Sequence, residues 1–251
     1  MAIDPAAGGR EGLLDTLLLK LRARDVLGQD EEAVLQNSVD AVTEVPQDKV
    51  LVMAGVTLSH STLLVEGFAC RYKDLADGQR QIMEVHVPGD FIDLHGFLLN
   101  RLEHNLGSLT PVKLATVPHD RLRVITERYP HLARMLWFST LLDAAIHRER
   151  ILSVGRRSAL ARIAHLLCEL NLRLEVVGLA SRGRYPLPLT QADIADASGL
   201  TAVHVNRMLK QLRDQQLLTF RGGEVVIQEW DRLQRVAEFS SGYLYLERRP
   251  R

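Results

Sequence analysis

The run Leu189-Thr190-Gln191-Ala192-Asp193-Ile194-Ala195-Asp196-Ala197-Ser198-Gly199-Leu200-Thr201-Ala202-Val203-His204-Val205-Asn206-Arg207-Met208-Leu209-Lys210-Gln211-Leu212 narrows the possible folds more than any other part of the chain. Thr190 can accept from the free N–H groups of a helix start, and Asp193 holds the capping-box position in place of the usual Glu. Ala195 is small enough for close helix approach, Gly199 permits a tight turn, and Thr201 caps a second helix with Val205, Met208, Leu209 and Leu212 facing inward. Two capped helices so spaced predict a helix-turn-helix, an arrangement whose second helix enters a DNA major groove. Beyond it, Leu217 to Phe220, then Arg221-Gly222-Gly223, then Glu224 to Ile227 read as a two-stranded wing with a basic residue at its tip, where it can touch phosphate. An amphipathic helix pair in a protein that binds no DNA is the plainer alternative.

Total charge does not announce such a partner, because 31 Lys and Arg balance 31 Asp and Glu. The balance is uneven along the chain. Residues 1–154 carry 16 basic and 21 acidic side chains, 155–224 carry 10 and 6, and 225–251 carry 5 and 4. The basic excess falls on the region with the helix-turn-helix, as phosphate attraction requires.

The first half reads differently. Leu13, Leu14, Leu17, Leu18 and Leu21 recur at helical spacing and predict a helix over residues 13–37. Segments Lys49 to Met53, Thr62 to Tyr72, Gln81 to Val87 and Val112 to Val117 are rich in β-branched and apolar residues. Glycines 55, 67, 78 and 89 punctuate them, which predicts an antiparallel sandwich or roll. Asp77-Gly78 suggests a two-residue hairpin turn. The run Pro88-Gly89-Asp90-Phe91-Ile92-Asp93-Leu94-His95-Gly96-Phe97 could offer backbone N–H groups to an anion, but its own charges are acidic and Arg101 is the nearest cation downstream. Pro130 then starts a helix of about 24 residues, ~36 Å, up to Gly155. In it Met135, Phe138, Leu142, Ala145, Glu149 and Leu152 form a heptad seam, the expected dimer interface, while Leu132, Leu136 and Ile146 form a second stripe toward the β module. A single buried helix in a monomer is the alternative.

Several chemistries lack a carrier. There is no G-x-S-x-G elbow, phosphate-binding G-x-x-x-x-G-K loop or H-E-x-x-H helix, so no catalytic residue is named and an enzyme is not expected. Cys70 and Cys168 cannot make a four-cysteine cluster, and His86 and His95 stand too far apart for a ligand pair, so no metal site is assigned. Cys70, beside Arg71 and close to Lys73, is a redox candidate through its thiolate; an inert buried cysteine is the alternative. No apolar run reaches membrane-spanning length, and Met1 to Arg10 has no apolar leader core, so a cytoplasmic protein without a membrane partner is expected.

The order of these features, a β module with Pro88-Gly89-Asp90, a long helix, Gly155-Arg156-Arg157-Ser158-Ala159, then the helix-turn-helix, resembles the Crp/Fnr family of bacterial transcription regulators over about residues 30 to 228. The resemblance implies an α+β fold: an N-terminal antiparallel β-roll of the double-stranded β-helix or jelly-roll type, a long dimerisation helix and a C-terminal winged helix-turn-helix. The expected division is 1–129 for the N-terminal helix and sensor-like β-roll, 130–154 for the long helix, 155–228 for the DNA-binding domain, and 229–251 for a C-terminal helix and tail.

The implied partners are double-stranded DNA, a second copy of the chain and RNA polymerase. Two recognition helices would meet a two-fold-related site. Members that bind cyclic AMP hold its phosphate with an Arg that is absent around Asp93-Leu94-His95-Gly96 and Ser108-Leu109-Thr110, and iron–sulfur members use a cysteine group that is also absent. The expectation is therefore no cofactor, neither cyclic AMP nor a cluster. Arg207 matches the family's base-reading Arg and can take guanine O6 and N7. Asn206 and His204 join it, while Val203, where family members often carry Glu, can meet only an apolar group such as a thymine methyl. Thr190, Gln191, Thr201, Lys210 and Arg221 are the expected phosphate contacts. A surface ion pair with Asp214 is the alternative for Arg207. The alternative for the whole chain is a cupin-like small-molecule or metal binder whose helical end contacts protein.

Overall fold

The computed structural model describes residues 12–248. The helix expected over 13–37 is two: α1 (Asp15–Arg22) and α2 (Gln29–Ser38). Gly28 breaks them in extended backbone, and its N–H donates to the Glu31 carboxylate at 3.0 Å, starting a new helix whose first turn is acidic. Leu17, Leu18 and Leu21 of α1 are buried against the β module.

Seven antiparallel strands follow: β1 (Ala41–Val45), β2 (Val50–Val52), β3 (His60–Glu66), β4 (Ala69–Asp74), β5 (Arg80–His86), β6 (Asn105–Ser108) and β7 (Val112–Pro118). They form two sheets, β1-β7-β3 and β2-β6-β4-β5, and Leu64, Ala69, Leu106 and Leu114 come from both to fill the roll. The single strand expected over Thr62–Tyr72 is split at Gly67, at φ +85°, where a Cβ would lie 2.2 Å from the Pro111 carbonyl oxygen. Asp77-Gly78 does not make a two-residue turn. The β4–β5 connection is longer, Leu75 N–H donates to Gln79 O at 2.7 Å, and of the pair only Gly78 is left-handed.

After the short α3 (Gly96–Leu99) and α4 (His119–Arg128), α5 (Pro130–Arg156) runs 27 residues with Pro at its first turn. Gly155 does not interrupt it, since glycine is tolerated in an exposed last turn. Ser158 caps α6 (Ala159–Val176) by accepting from Ala161 N–H at 3.2 Å. The polar loop expected over 181–188 contains a strand, β8 (Arg184–Pro186), which pairs with β10 (Glu224–Ile227); β10 pairs in turn with β9 (Leu218–Arg221). Between them come α7 (Gln191–Ser198) and α8 (Ala202–Asp214), and afterwards α9 (Trp230–Ala237) and a 3-10 turn at Ser241–Leu244.

One core joins the two halves. Cys70, Tyr72, Ile82 and Val85 of the roll, Leu142 and Ile146 of α5, and the interior of the winged unit form a continuous cluster. At its edge Gln81 Nε2 on β5 donates to Asp196 O on α7 at 2.8 Å. Among the described residues, no helix is long and apolar enough to cross a membrane.

Candidate nucleic-acid interface

The caps place α7 and α8 as their chemistry requires. Thr190 Oγ1 accepts from Asp193 N–H at 3.1 Å, and Asp193 Oδ2 accepts from Thr190 N–H at 2.7 Å. Gly199, at φ +62°, turns the chain, and Thr201 Oγ1 accepts from His204 N–H at 3.3 Å. Val205, Met208, Leu209 and Leu212 are buried, which leaves the other face of α8 outside. Val203, Asn206, Arg207 and Lys210, at i, i+3, i+4 and i+7, share that face and are exposed, Val203 at 82%. His204 is half-buried.

Arg207 Nη2 donates to His204 Nε2, so His204 acts as an acceptor there, and Arg207 does not pair with Asp214. Asn206 Nδ2 donates to Gln191 Oε1 at 3.3 Å, tying the first residue of α7 to the exposed face of α8. Thr190, Gln191, Thr201 and Arg221 are all exposed. Arg221 leads the wing tip, where Gly222 and Gly223 adopt φ +59° and +74°. The face therefore carries two cations, an amide and a methyl-bearing side chain, a set able to read base edges and hold phosphates.

The other candidate site is closed. In Pro88-Gly89-Asp90 the N–H groups of Gly89 and Asp90 donate to Leu64 O and Val87 O, and Ile92 N–H donates to Thr62 O, so the anion cradle is already bonded. Gly89 (φ +89°) lies under α1, where a Cβ would come 2.8 Å from Thr16 O. Asp90 is buried; it accepts from Val87 N–H at 3.0 Å and pairs with Lys20 at 2.5 Å and Arg173 at 2.6 Å. Burial alone would raise its pKa, but Lys20 and Arg173 outweigh that and hold the carboxyl well below the usual range. Burial pushes Asp93 up to about 7, although its carboxylate accepts from Thr62 N–H at 2.5 Å. Thr110 Oγ1 accepts from Phe68 N–H at 2.9 Å and Ser108 Oγ donates to Pro46 O at 2.8 Å, so both hydroxyls tie backbone.

A polar junction that the sequence did not reveal lies beside it. Arg71 reaches Glu84 at 3.1 Å and Asp143 at 2.7 Å; Arg173 on α6 also donates to Val85 O at 2.9 Å and lies 3.4 Å from Glu169. His147 Nε2 is 2.8 Å from Glu84. The one available signal was a set of charges (Arg150, Glu169, Arg173) on otherwise apolar helix faces.

Two expectations need correction. Cys70 is 1% exposed, and burial pushes its thiol up to about 12, while the adjacent Arg71 points its guanidinium at Glu84 and Asp143. A thiolate is therefore disfavoured, which favours the inert buried cysteine over the redox reading. The heptad seam is also misplaced. Met135, Leu142 and Ala145 are buried within the chain, Phe138 packs on Arg24 and Tyr245, and Glu149 pairs with Arg157 at 2.5 Å; of the six only Leu152 is exposed. The unpartnered stripe is instead Trp137, Leu141, Ala144, Arg148 and Ile151, with Trp137 67% and Ile151 73% exposed. Leu132, Leu136 and Ile146 pack inward.

His86 is fully buried, 3.5 Å from Asp90, and burial pushes His95 down to about 3. Among the described residues no group of three or more His, Cys, Asp or Glu is placed to hold a metal.

A β-roll joined through a long helix to a winged helix-turn-helix, with the outer face of its second helix open, defines a two-module architecture. Residues 42–129 match the model of the cyclic nucleotide-binding domain, and residues 161–236 match that of the Crp-like helix-turn-helix domain. The chain belongs to the Crp/Fnr family. It is 34% identical over 156 residues to the transcriptional activatory protein AadR of Rhodopseudomonas palustris, a match covering 62% of this chain and 64% of that one. It is likewise 34% identical over 154 residues to the nitrogen fixation regulation protein FixK of Bradyrhizobium diazoefficiens, covering 59% and 62%. The matches thus span a little under two thirds of each relative's length. The solved structure of FixK2 from Bradyrhizobium japonicum superimposes with a TM-score of 0.69 at 26% identity, covering 80% of this chain and 98% of that one.

Proposed function

We propose that this protein is a sequence-specific DNA-binding transcription regulator that acts as a homodimer on a two-fold-related site. The observation that carries the reading is the outer face of α8, where Val203, Asn206 and Arg207 stand exposed on a doubly capped helix. Arg207 takes guanine O6 and N7, Asn206 and His204 meet neighbouring base edges, and Val203 contacts a thymine methyl. Thr190, Gln191, Thr201, Lys210 and Arg221 hold phosphates and set the register. AadR is a transcriptional activatory protein and FixK a nitrogen fixation regulation protein, and both support a regulatory role.

The second copy packs along Trp137, Leu141, Ala144, Arg148 and Ile151, whose spacing of four and three is that of a coiled-coil seam. Residues 1–129, 130–154, 155–228 and 229–251 serve as sensor-like unit, connecting helix, reader and tail. Control is not by cyclic AMP, because the residues at Asp93 to Gly96 and Ser108 to Thr110 are engaged with backbone. The regulator works in the cytoplasm with its DNA and acts on RNA polymerase. Selection of bound duplexes from a random pool tests this: enrichment of an inverted repeat is expected, and an unenriched pool overturns the reading.

A further inference from the structure

The two family domains account for residues 42–129 and 161–236, and a cavity of about 570 Å³ is walled mostly by segments outside both. Leu21 and Arg24 come from α1 and the link after it, Trp137, Phe138 and Leu141 from α5, and Tyr245 from the C-terminal tail. Its size falls within the roughly 300–1,000 Å³ of small-molecule sites, which are likewise apolar and aromatic with a few polar groups.

Two features point to the kind of molecule it takes. Arg24 is half-buried with its guanidinium 5.0 Å from the centre of the Phe138 ring; Nη2 donates to Leu244 O at 2.5 Å, whereas Nη1 is buried without a hydrogen-bond partner. Burial draws its pKa down to about 10, and no carboxylate offsets that. Buried cations are ordinarily paired, and among the described residues no carboxylate forms an ion pair with Arg24, although Asp25 and Glu247 line the same cavity. Asp25, Arg134 and Glu247 also line the cavity but have contacts of their own, Asp25 with His131 at 3.3 Å. The second feature is Tyr245, held at φ +49°, a strained conformation for a bulky residue. That backbone sets its ring edge-on to Phe138 at 6.1 Å, forming a wall of the cavity.

We propose that this cavity binds a small monocarboxylic acid with an aliphatic or aromatic body, its carboxylate paired with Arg24 and its body lying between Trp137 and Tyr245. Such a ligand touches α1, α5 and the tail at once. Trp137 and Leu141 also begin the exposed stripe of α5, so the bound acid sits at the edge of the dimer seam. That consequence rests on the regulator reading above; the binding itself does not.

The test is calorimetric titration of the full-length protein with decanoate and with 1-naphthaleneacetate, beside the neutral 1-naphthaleneacetamide. The two acids distinguish an aliphatic from an aromatic preference. Because the chain has two tryptophans, Trp137 emission is followed in a Trp230→Phe background. One acid binds per chain and shifts that emission to the blue. Arg24→Met weakens the bound acid about tenfold or more, the loss of one charge-assisted hydrogen bond, and leaves the amide unchanged. Arg24→Lys restores the acid. Since Arg24 also holds the Leu244 carbonyl, circular dichroism confirms folding of each variant, and Trp137→Ala, at an exposed position, weakens acid and amide alike. The proposal is overturned if neither acid binds at about 1 mM, or if Arg24→Met weakens acid and amide equally. No arm contains DNA, so this site and the regulator reading fail separately.

Discussion

The junction under the β-roll and the outer face of α8 are both rich in charge, and they treat it in opposite ways. At the junction Lys20, Arg71, Arg150 and Arg173 each pair with a carboxylate, and Asp90 and Glu84 are buried between them. On the reader, Arg207 donates to His204, and among the described residues neither it nor Lys210 or Arg221 has a carboxylate partner. A cation neutralised inside the chain serves architecture; one left unneutralised on a rigid helix is available to an external polyanion. The near-zero total charge is the sum of these two treatments.

The strongest way to break the contrast is at the junction. Asp90→Ala leaves Lys20 and Arg173 facing a lost partner, and is expected to reduce unfolding free energy by about 3–5 kcal/mol in urea titration, without altering which duplexes are selected. Altered specificity in a folded Asp90→Ala protein would show that the junction reads DNA. The pH dependence has a defined sign. The folded pKa of Asp90 lies below its unfolded value, near 4, so its stabilisation is complete at neutral pH and is lost as pH falls from about 4 toward the folded pKa. Asp93 acts oppositely: its pKa of about 7 makes the fold lose stability as pH rises from about 4 to 7. The stability gap between wild type and Asp90→Asn should therefore close below about pH 4, and a gap constant to pH 2 would contradict the pairing.

Next in size is the contrast between the two faces of α5. Leu142→Glu buries a charge and should unfold the chain, whereas Leu141→Glu with Ile151→Glu should leave a folded monomer by sedimentation. An unchanged dimer would remove the shifted seam. Smaller again, Lys210→Ala or Arg221→Ala should weaken all duplexes alike and lower the slope of log affinity against log salt by about 1. Smallest is Cys70→Ser, expected to leave DNA binding unchanged under oxidant and reductant, because the thiol is buried.

What could be read from sequence depended on how local the cause was. The helix-turn-helix is made by caps and a glycine within two dozen positions, and Thr190, Asp193, Gly199 and Thr201 behave in the structure as their chemistry predicts. The seam on α5 was misread because the helix has apolar residues on more than one face. Spacing identifies Met135-Phe138-Leu142 and Trp137-Leu141-Ala144 equally well, and only the packing of the tail and roll decides which is covered. β1 escaped notice because an exposed strand shows no alternation, and β6 because it is short and contains Gly107. The pairing of Asp90 with Arg173 joins positions far apart in the chain, and no local pattern encodes it.

The central claim, that the outer face of α8 reads base edges, is tested most directly by a double-mutant cycle between Arg207 and one guanine of the selected duplex. Wild type and Arg207→Ala are each titrated against that duplex and against one with the guanine replaced, at fixed salt. Arg207→Ala is expected to weaken the guanine duplex by about 1–3 kcal/mol and to bind both duplexes with nearly equal affinity. If wild type and Arg207→Ala bind both duplexes equally, Arg207 does not read that base and the assignment of α8 fails.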